Sequence, residues 1–322
     1  IGRWVAEGLI TRQDWPSSVS QAEHCFEVLA DLWLLCPCDV GTAGTVKSIT
    51  LHPLVYNFIT KMARKEHILD TRLSWHLARH FFVLSNIRLR PSDSILNFLK
   101  QPSRASSQLN LVKVLDLEGC ASLRDNQRWL RNVCTSLILL KYLSLRGSNV
   151  THLPSEINNL RELEVLDIRE TNVPPYATVN VLLLKLKRLL AGRIVPSSGV
   201  SSTELFSVEI PDKVEKMVNM EVLSEVKAWQ SNDLKDIGKL WQLRKLGVVI
   251  DDKDKHLKNL LQTISDLHEC LRSLSITTIP VATPCEAELP AVKNHPKILE
   301  SLTIKGTTQN GRLLPLFIKG DK

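Results

Sequence analysis

Val112-Lys113-Val114-Leu115-Asp116-Leu117 opens a pattern of one apolar residue, two variable residues and then L-x-L, which recurs down the chain. Leu140-Lys141-Tyr142-Leu143-Ser144-Leu145 repeats it, as do residues 163–168, 186–191, 243–248, 271–276 and 299–304, with a looser copy from Met220 through Leu223. The fourth residues of these units are Leu115, Leu143, Leu166, Leu189, Leu223, Leu246, Leu274 and Leu302, spaced 28, 23, 23, 34, 23, 28 and 28 apart. Side chains two apart share one face of a strand, so each unit predicts a short strand burying its fourth and sixth residues. The apolar cores are too short for amphipathic helices. One unit cannot bury its own apolar face, so neighbours must stack into a curved solenoid. The 34-residue gap before Leu223 predicts an insertion within the stack.

Periods in the twenties with this signature are those of leucine-rich repeats. The alternation places Val114, Asp116, Glu118, Tyr142, Ser144, Arg146, Val165, Asp167, Arg169, Arg188, Lys245 and Lys305 on the opposite, outward strand face. Residues 150–157 turn the chain back, with Leu153, Ile157 and Leu160 as the returning apolar face. The expected fold class is α/β: a partial winged-helix unit over residues 1–68, a linker over 69–110, and a leucine-rich-repeat horseshoe over 111–322. Within the linker, residues 79–84 read as an opening strand that shields the first repeat, and the Ser-rich residues 101–108 as a surface loop. Residues 313–318 read as a further repeat beginning and then cut.

The N-terminal unit follows from shorter signals. Ser20 with Glu23 forms a capping box, and Ala22, Cys25, Phe26, Leu29, Leu32 and Trp33 recur at helical spacing; Pro37 is expected to end this helix. Residues 38–51 read as a hairpin with a Gly-rich tip. A second helix begins at Pro53, with Leu54, Val55, Phe58, Ile59 and Met62 as its apolar face. Residues 41–48 imitate a phosphate-binding G-x-x-x-x-G-K-S/T loop, but Val46 stands in place of the second glycine and residues 49–51 look like strand. A phosphate loop needs a helix N-terminus there, so this stretch is a hairpin tip.

Hydrophobic content of 43% and charge of 23% are those of a globular chain, not a disordered one. The net charge of +7 lies with the repeats, since residues 1–68 carry −1 and the rest +8. The basic residues are scattered without a run of five, which argues against nucleic acid or a membrane surface as partner. Seven cysteines, odd in number and irregular in spacing, fit a reducing compartment and predict a cytoplasmic protein. Cys36 and Cys38 with His52 and His67 match no zinc spacing. The Asn149-Val150-Thr151 sequon carries no meaning in the cytosol. No apolar run is long enough to span a bilayer. The chain opens mid-pattern at Ile1-Gly2-Arg3-Trp4 and is expected to be part of something longer.

Arg3-Trp4-Val5-Ala6-Glu7-Gly8-Leu9-Ile10 is similar to the Arg-Trp-x-Ala-Glu-Gly-Phe-Ile stretch in the winged-helix domain of plant intracellular immune receptors of the nucleotide-binding, leucine-rich-repeat (NB-ARC–LRR) class. The resemblance continues through residues 26–31 and the repeats, covering nearly all of the chain. Leu51-His52-Pro53 stands where the family has Met-His-Asp. Leucine for methionine conserves volume, whereas Pro53 for aspartate removes a carboxylate at a helix start. The resemblance implies that His52 is the nucleotide-contacting residue, aimed at the β-phosphate of ADP. The reading from the residues alone is a histidine that begins a helix. It further implies ADP/ATP switching by upstream domains, with no cofactor bound by this fragment. The implied partners are a pathogen effector or guarded host protein, and the receptor's own nucleotide-binding domain.

For the contact surface the sequence points to the strand face of the solenoid, with Tyr142, Arg146, Asp167 and Arg169 as partner-binding candidates. Tyr and Arg are types that dominate interface energetics. A repeat-containing adaptor, such as a ubiquitin-ligase substrate receptor, is the alternative, and the winged-helix signature weighs against it. A DNA-reading winged helix fits poorly, because Lys61, Arg64 and Lys65 are the basic residues of the second helix and all lie at its end. No Ser/His/Asp, Cys/His or paired-carboxylate constellation falls on elements that would converge, so catalysis is not expected.

Overall fold

A computed structural model of the chain describes residues 4–5, 10, 18–40, 46–65, 80–82, 112–119, 128–196, 203–230, 232–279, 292–306, 313 and 317. Residues 18–65 hold helix α1 (Ser18–Asp31), the antiparallel strands β1 (Leu35–Val40) and β2 (Val46–Leu51), and helix α2 (Pro53–Lys65). α1 starts two residues before Ser20, so Ser20 lies inside the first turn and is not the cap. Nor does Pro37 end it. Trp33 takes φ 55°, its N–H donates to Ala30 O at 2.9 Å, and Leu34 N–H donates to Leu29 O at 3.1 Å. That is the left-handed, double-bonded helix stop usually built on glycine. Pro37 instead lies in β1 opposite Ile49. From Val46 the chain runs as β2, where a phosphate loop would need a helix. Cys38 Sγ donates to Thr50 Oγ1 at 3.2 Å. No group of three or more His, Cys, Asp or Glu is placed to hold a metal among the described residues; His67 lies outside them.

The repeats form one ten-stranded sheet. Its strands are β3 (His80–Phe82), β4 (Val114–Asp116), β5 (Tyr142–Ser144), β6 (Val165–Asp167), β7 (Arg188–Leu190), β10 (Val208–Glu209), β11 (Val222–Lys227), β12 (Lys245–Asp251), β13 (Ser273–Ile279) and β14 (Ser301–Lys305). All pair in parallel. The eight leucines counted in the sequence stand in one register row, with Phe81 opposite the first of them. Seven of the eight are at most 1% exposed, and Leu302 on β14 is partly buried. Each such side chain stabilises the stack by about 1.5–3 kcal/mol.

The unit lengths decide the outer wall. The 28-residue steps to Leu143 and to Leu274 carry true helices, α3 (Arg128–Ser136) and, after the insertion, α5 (Asp254–Asp266). The 23-residue steps carry only a 3-10 turn, at Ser155–Asn159 and Pro175–Thr178, or the short α4 (Asp233–Ile237). Five extra residues lengthen a helix by about 7.5 Å. The same inward apolar positions are served in either form, by Leu130 and Val133, by Ile157 and Leu160, or by Leu257, Leu260, Leu261 and Ile264.

The long gap is an insertion within a strand line. After β7 the chain leaves the sheet as an antiparallel hairpin, β8 (Arg193–Pro196) and β9 (Thr203–Phe206), and then rejoins it as β10. The Arg193 guanidinium lies over the Phe206 ring at 5.0 Å. β11 therefore pairs first with β7, at Val222 to Ser224, and then with β10, at Val226 and Lys227. Against β12 its register shifts between Leu223 and Val226. The extra residue is Glu225, in a left-handed conformation at φ 53°. Gly192 and Gly247 make room for it: a Cβ on the first would meet Glu225 Cβ at 2.8 Å, and on the second Glu225 N at 2.9 Å.

Candidate functional site: the strand face

The outward positions form rows across the sheet. Val114, Tyr142, Val165, Arg188, Val222, Lys245, Ser273 and Ser301 stand in one register, and Asp116, Ser144, Asp167, Leu190 and Ser224 in the next. At the N-terminal end this face is more closed than alternation alone suggests. Val114, Asp116, Ser144, Val165 and Asp167 are at most 5% exposed although they stand in the outward rows. The cause is visible in the neighbouring side chains. Asp167 Oδ1 accepts Arg169 N at 3.1 Å and Nε at 2.9 Å, while Oδ2 accepts Nη2 at 2.5 Å, folding the guanidinium over the carboxylate. Asp116 Oδ1 accepts Glu118 N at 3.0 Å in the same kind of turn. Arg146 Nη1 lies 3.3 Å from Glu118 Oε1 on the adjacent repeat.

Of the four partner-binding candidates, Tyr142, Arg146 and Arg169 are half-buried and open to the face, and Asp167 lies beneath Arg169. The field of Tyr142 and Glu118 reaches Arg169, which places the group together at the β4–β6 end. Beside it runs an ion ladder along the strand starts: Glu164 accepts Lys141 Nζ at 2.9 Å and Lys187 Nζ at 2.7 Å. Burial pushes the Glu164 carboxyl up, but the bonds and charges of the two lysines outweigh it and hold it below the ordinary range.

The C-terminal end of the face has a different chemistry. Lys245, Ser273 and Ser301 stand in one row, Gly247, Ser275 and Thr303 in the next, and Val249, Thr277 and Lys305 in the third. Lys245 and Lys305 are exposed, and the serines and threonines are half-buried. Glu225 rises from its bulge beside them. Burial pushes its carboxyl up, against the opposing pull of Lys305 and Lys245. Glu225 was not singled out from the sequence. Its signal was present, however, in Leu223-Ser224-Glu225-Val226, where two polar residues stand between apolar ones instead of one.

His52 is exposed; its Nδ1 accepts Leu54 N–H at 3.2 Å and its carbonyl accepts Tyr56 N–H at 2.9 Å. It caps α2, with Pro53 as the first helical residue. On α2, Leu54, Phe58 and Met62 lie along one stripe and are 72%, 65% and 38% exposed.

The family model of a leucine-rich repeat region matches residues 94–319. The chain belongs to that family. Its relatives are plant disease resistance proteins. Disease resistance protein Pik-2 of Oryza sativa subsp. japonica is 27% identical over 59% of this chain and 20% of that protein. Disease resistance protein RGA4 of the same rice is 30% identical over 54% of this chain and 18% of that protein. The disease resistance RPP13-like protein 3 of Arabidopsis thaliana is 26% identical over 98% of this chain and 38% of that protein. The chain thus spans about a fifth of the rice relatives it matches. Among solved structures, a leucine-rich repeat protein of Leptospira interrogans aligns at 18% identity and TM-score 0.37 over 61% of this chain and 50% of that one. That overlap is too slight to bear on function, and the repeat assignment rests on the leucine register itself. No helix among the described residues is long and apolar enough to cross a membrane.

Proposed function

We propose that this leucine-rich repeat region is part of a cytoplasmic plant immune receptor and works by binding, not catalysis. The observation that carries this reading is the alignment of nearly the whole chain with a plant disease resistance protein. The strand face around Tyr142, Arg146, Asp167 and Arg169 would meet a pathogen effector or a guarded host protein. Residues 18–65 read as the back half of a winged helix, and the repeats hold the receptor off until that contact forms.

ADP/ATP exchange belongs to domains N-terminal to this stretch, with His52 directed at the nucleotide in the assembled receptor. The exposed apolar stripe of α2 supports a covered surface there, the partner being the receptor's own nucleotide-binding domain. The test is a full receptor carrying Tyr142→Ala, Arg146→Ala, Asp167→Ala and Arg169→Ala in turn, expressed in leaf at matched protein level. Loss of recognition or of autoinhibition in at least one supports the reading, and survival of both in all four rejects it. Calorimetry of residues 1–322 with ADP and ATP should give no heat of binding.

A further inference from the structure

The two ends of the strand face differ in how their charges are used. At the β4–β6 end, cations are spent on neighbours: Arg146 on Glu118 and Arg169 on Asp167. Arg188 and Lys305 form no ion pair among the described residues. Asp251, at the far end of β12, is already engaged by Lys253 at 2.7 Å and by His256. Between the cations lies a floor of small and hydroxyl side chains: Gly247, Ser273, Ser275, Thr277, Ser301 and Thr303. These hydroxyls can donate as well as accept.

We propose that this half of the strand face, carried by Arg188, Lys245 and Lys305 over the serine and threonine floor, docks an extended acidic segment of a partner protein. It deepens the recognition reading above and rests on it, since it assigns a chemistry to the surface that reading uses. Charge complementarity selects the occupant. Lys245 and Lys305 both act on the bulge carboxylate of Glu225, whose Oε2 is buried and makes no hydrogen bond among the described residues, and Arg188 adds a third positive charge in the Lys245 row.

The spacing favours a peptide over nucleic acid. Arg188 and Lys245 share a row two strands apart, about 10 Å at ordinary strand separation. A polyproline-type segment rises about 3.1 Å per residue with three residues per turn, so carboxylates at i and i+3 match that distance on one side. β12, β13 and β14, which form the floor, carry no aromatic residue, whereas single-stranded nucleic acid is held by stacking on aromatic rings between its phosphate contacts.

Glu225 gives the proposal its sharpest test, because its charge opposes an acidic ligand and would assist a basic one. The probe is a fluorescein-labelled peptide with glutamate at every third position, followed by anisotropy against the 322-residue chain. Comparators are the same peptide with lysine for glutamate and a single-stranded oligonucleotide. Lys245→Ala and Lys305→Ala should each weaken the glutamate peptide about threefold, and joint charge reversal to glutamate should abolish binding. Glu225→Gln should tighten it. Lys235→Glu, on the exposed side of α4, serves as the control and should change nothing. Indifference to the double reversal, weakening by Glu225→Gln, or preference for the lysine peptide or the oligonucleotide overturns the proposal. Failure of the recognition reading is scored separately, in the four-residue leaf scan at the β4–β6 end.

Discussion

Arg169 is clamped onto Asp167 two residues before it, by its backbone N–H at 3.1 Å, Nε at 2.9 Å and Nη2 at 2.5 Å. One carboxylate thereby stops the turn leaving β6 and fixes the guanidinium on the strand face. Asp167→Ala should destabilise the chain by about 1–2 kcal/mol, because it removes a buried acceptor from a backbone N–H and from a charged partner. Asp167→Asn keeps the backbone bond and should lose less. Urea denaturation of the two variants orders them, and equal midpoints would show that the clamp carries no stability.

The ladder of Lys141, Glu164 and Lys187 predicts an acid dependence. The folded Glu164 carboxyl is held below its ordinary value, so its contribution is complete above the unfolded value of about 4.3. It is lost as pH falls through the lower folded value. Glu164→Gln should therefore reduce the melting temperature at neutral pH and match the parent chain at strongly acidic pH. A difference between the two that is independent of pH contradicts the assignment.

Strand exits share a left-handed turn position, held by Gly119 at φ 68°, Gly147 at φ 61° and Glu170 at φ 55°. A Cβ on Gly147 would meet nothing closer than 3.8 Å, so only its backbone conformation opposes a side chain. Gly147→Ala should cost about 1–2 kcal/mol. Glu170→Gly relieves the same strain and should be neutral to stabilising by at most about 1 kcal/mol. Calorimetric melting of both variants decides whether the turns are equivalent.

Burial pushes the Cys134 thiol up to about 12, whereas Cys38 is exposed on the hairpin. Only the thiolate alkylates readily, so iodoacetamide at neutral pH should label Cys38 early and Cys134 only on unfolding. Mass spectrometry of timed digests gives the order. Early labelling of Cys134 in the folded chain would mean that α3 is not docked as described.

Pro53 keeps the start of α2 but offers no carboxylate to neighbouring N–H groups, a loss of about 1 kcal/mol by the measure of other helix caps. Such a loss shifts an off/on equilibrium about fivefold. On the proposed receptor reading, a full receptor carrying this chain should be mildly leaky, and Pro53→Asp should quiet it. Ligand-independent cell death in leaf, at matched protein level, is the readout; equal background in both versions would show that the position no longer governs the switch.

Much of this protein was decided locally. A strand's two-residue period forces every leucine of an L-x-L unit to one side, and units that cannot close a core alone must stack. The register row of eight leucines therefore follows from counting, as does the insertion before Leu223, and the order helix, β-hairpin, helix in residues 18–65 follows from equally local signals. Tertiary structure decided what counting leaves open. Whether an outward residue is solvated depends on what folds over it, and only packing shows Arg169 lying across Asp167. Whether α1 stops at Pro37 depends on which residue tolerates a left-handed turn, and that residue is Trp33. The bulge at Glu225 needed three separate segments at once: the interrupted β7, the glycine before the hairpin, and Gly247 across the ladder. Side-chain periodicity is a property of one strand, but exposure, ion pairing and bulge accommodation are properties of its neighbours.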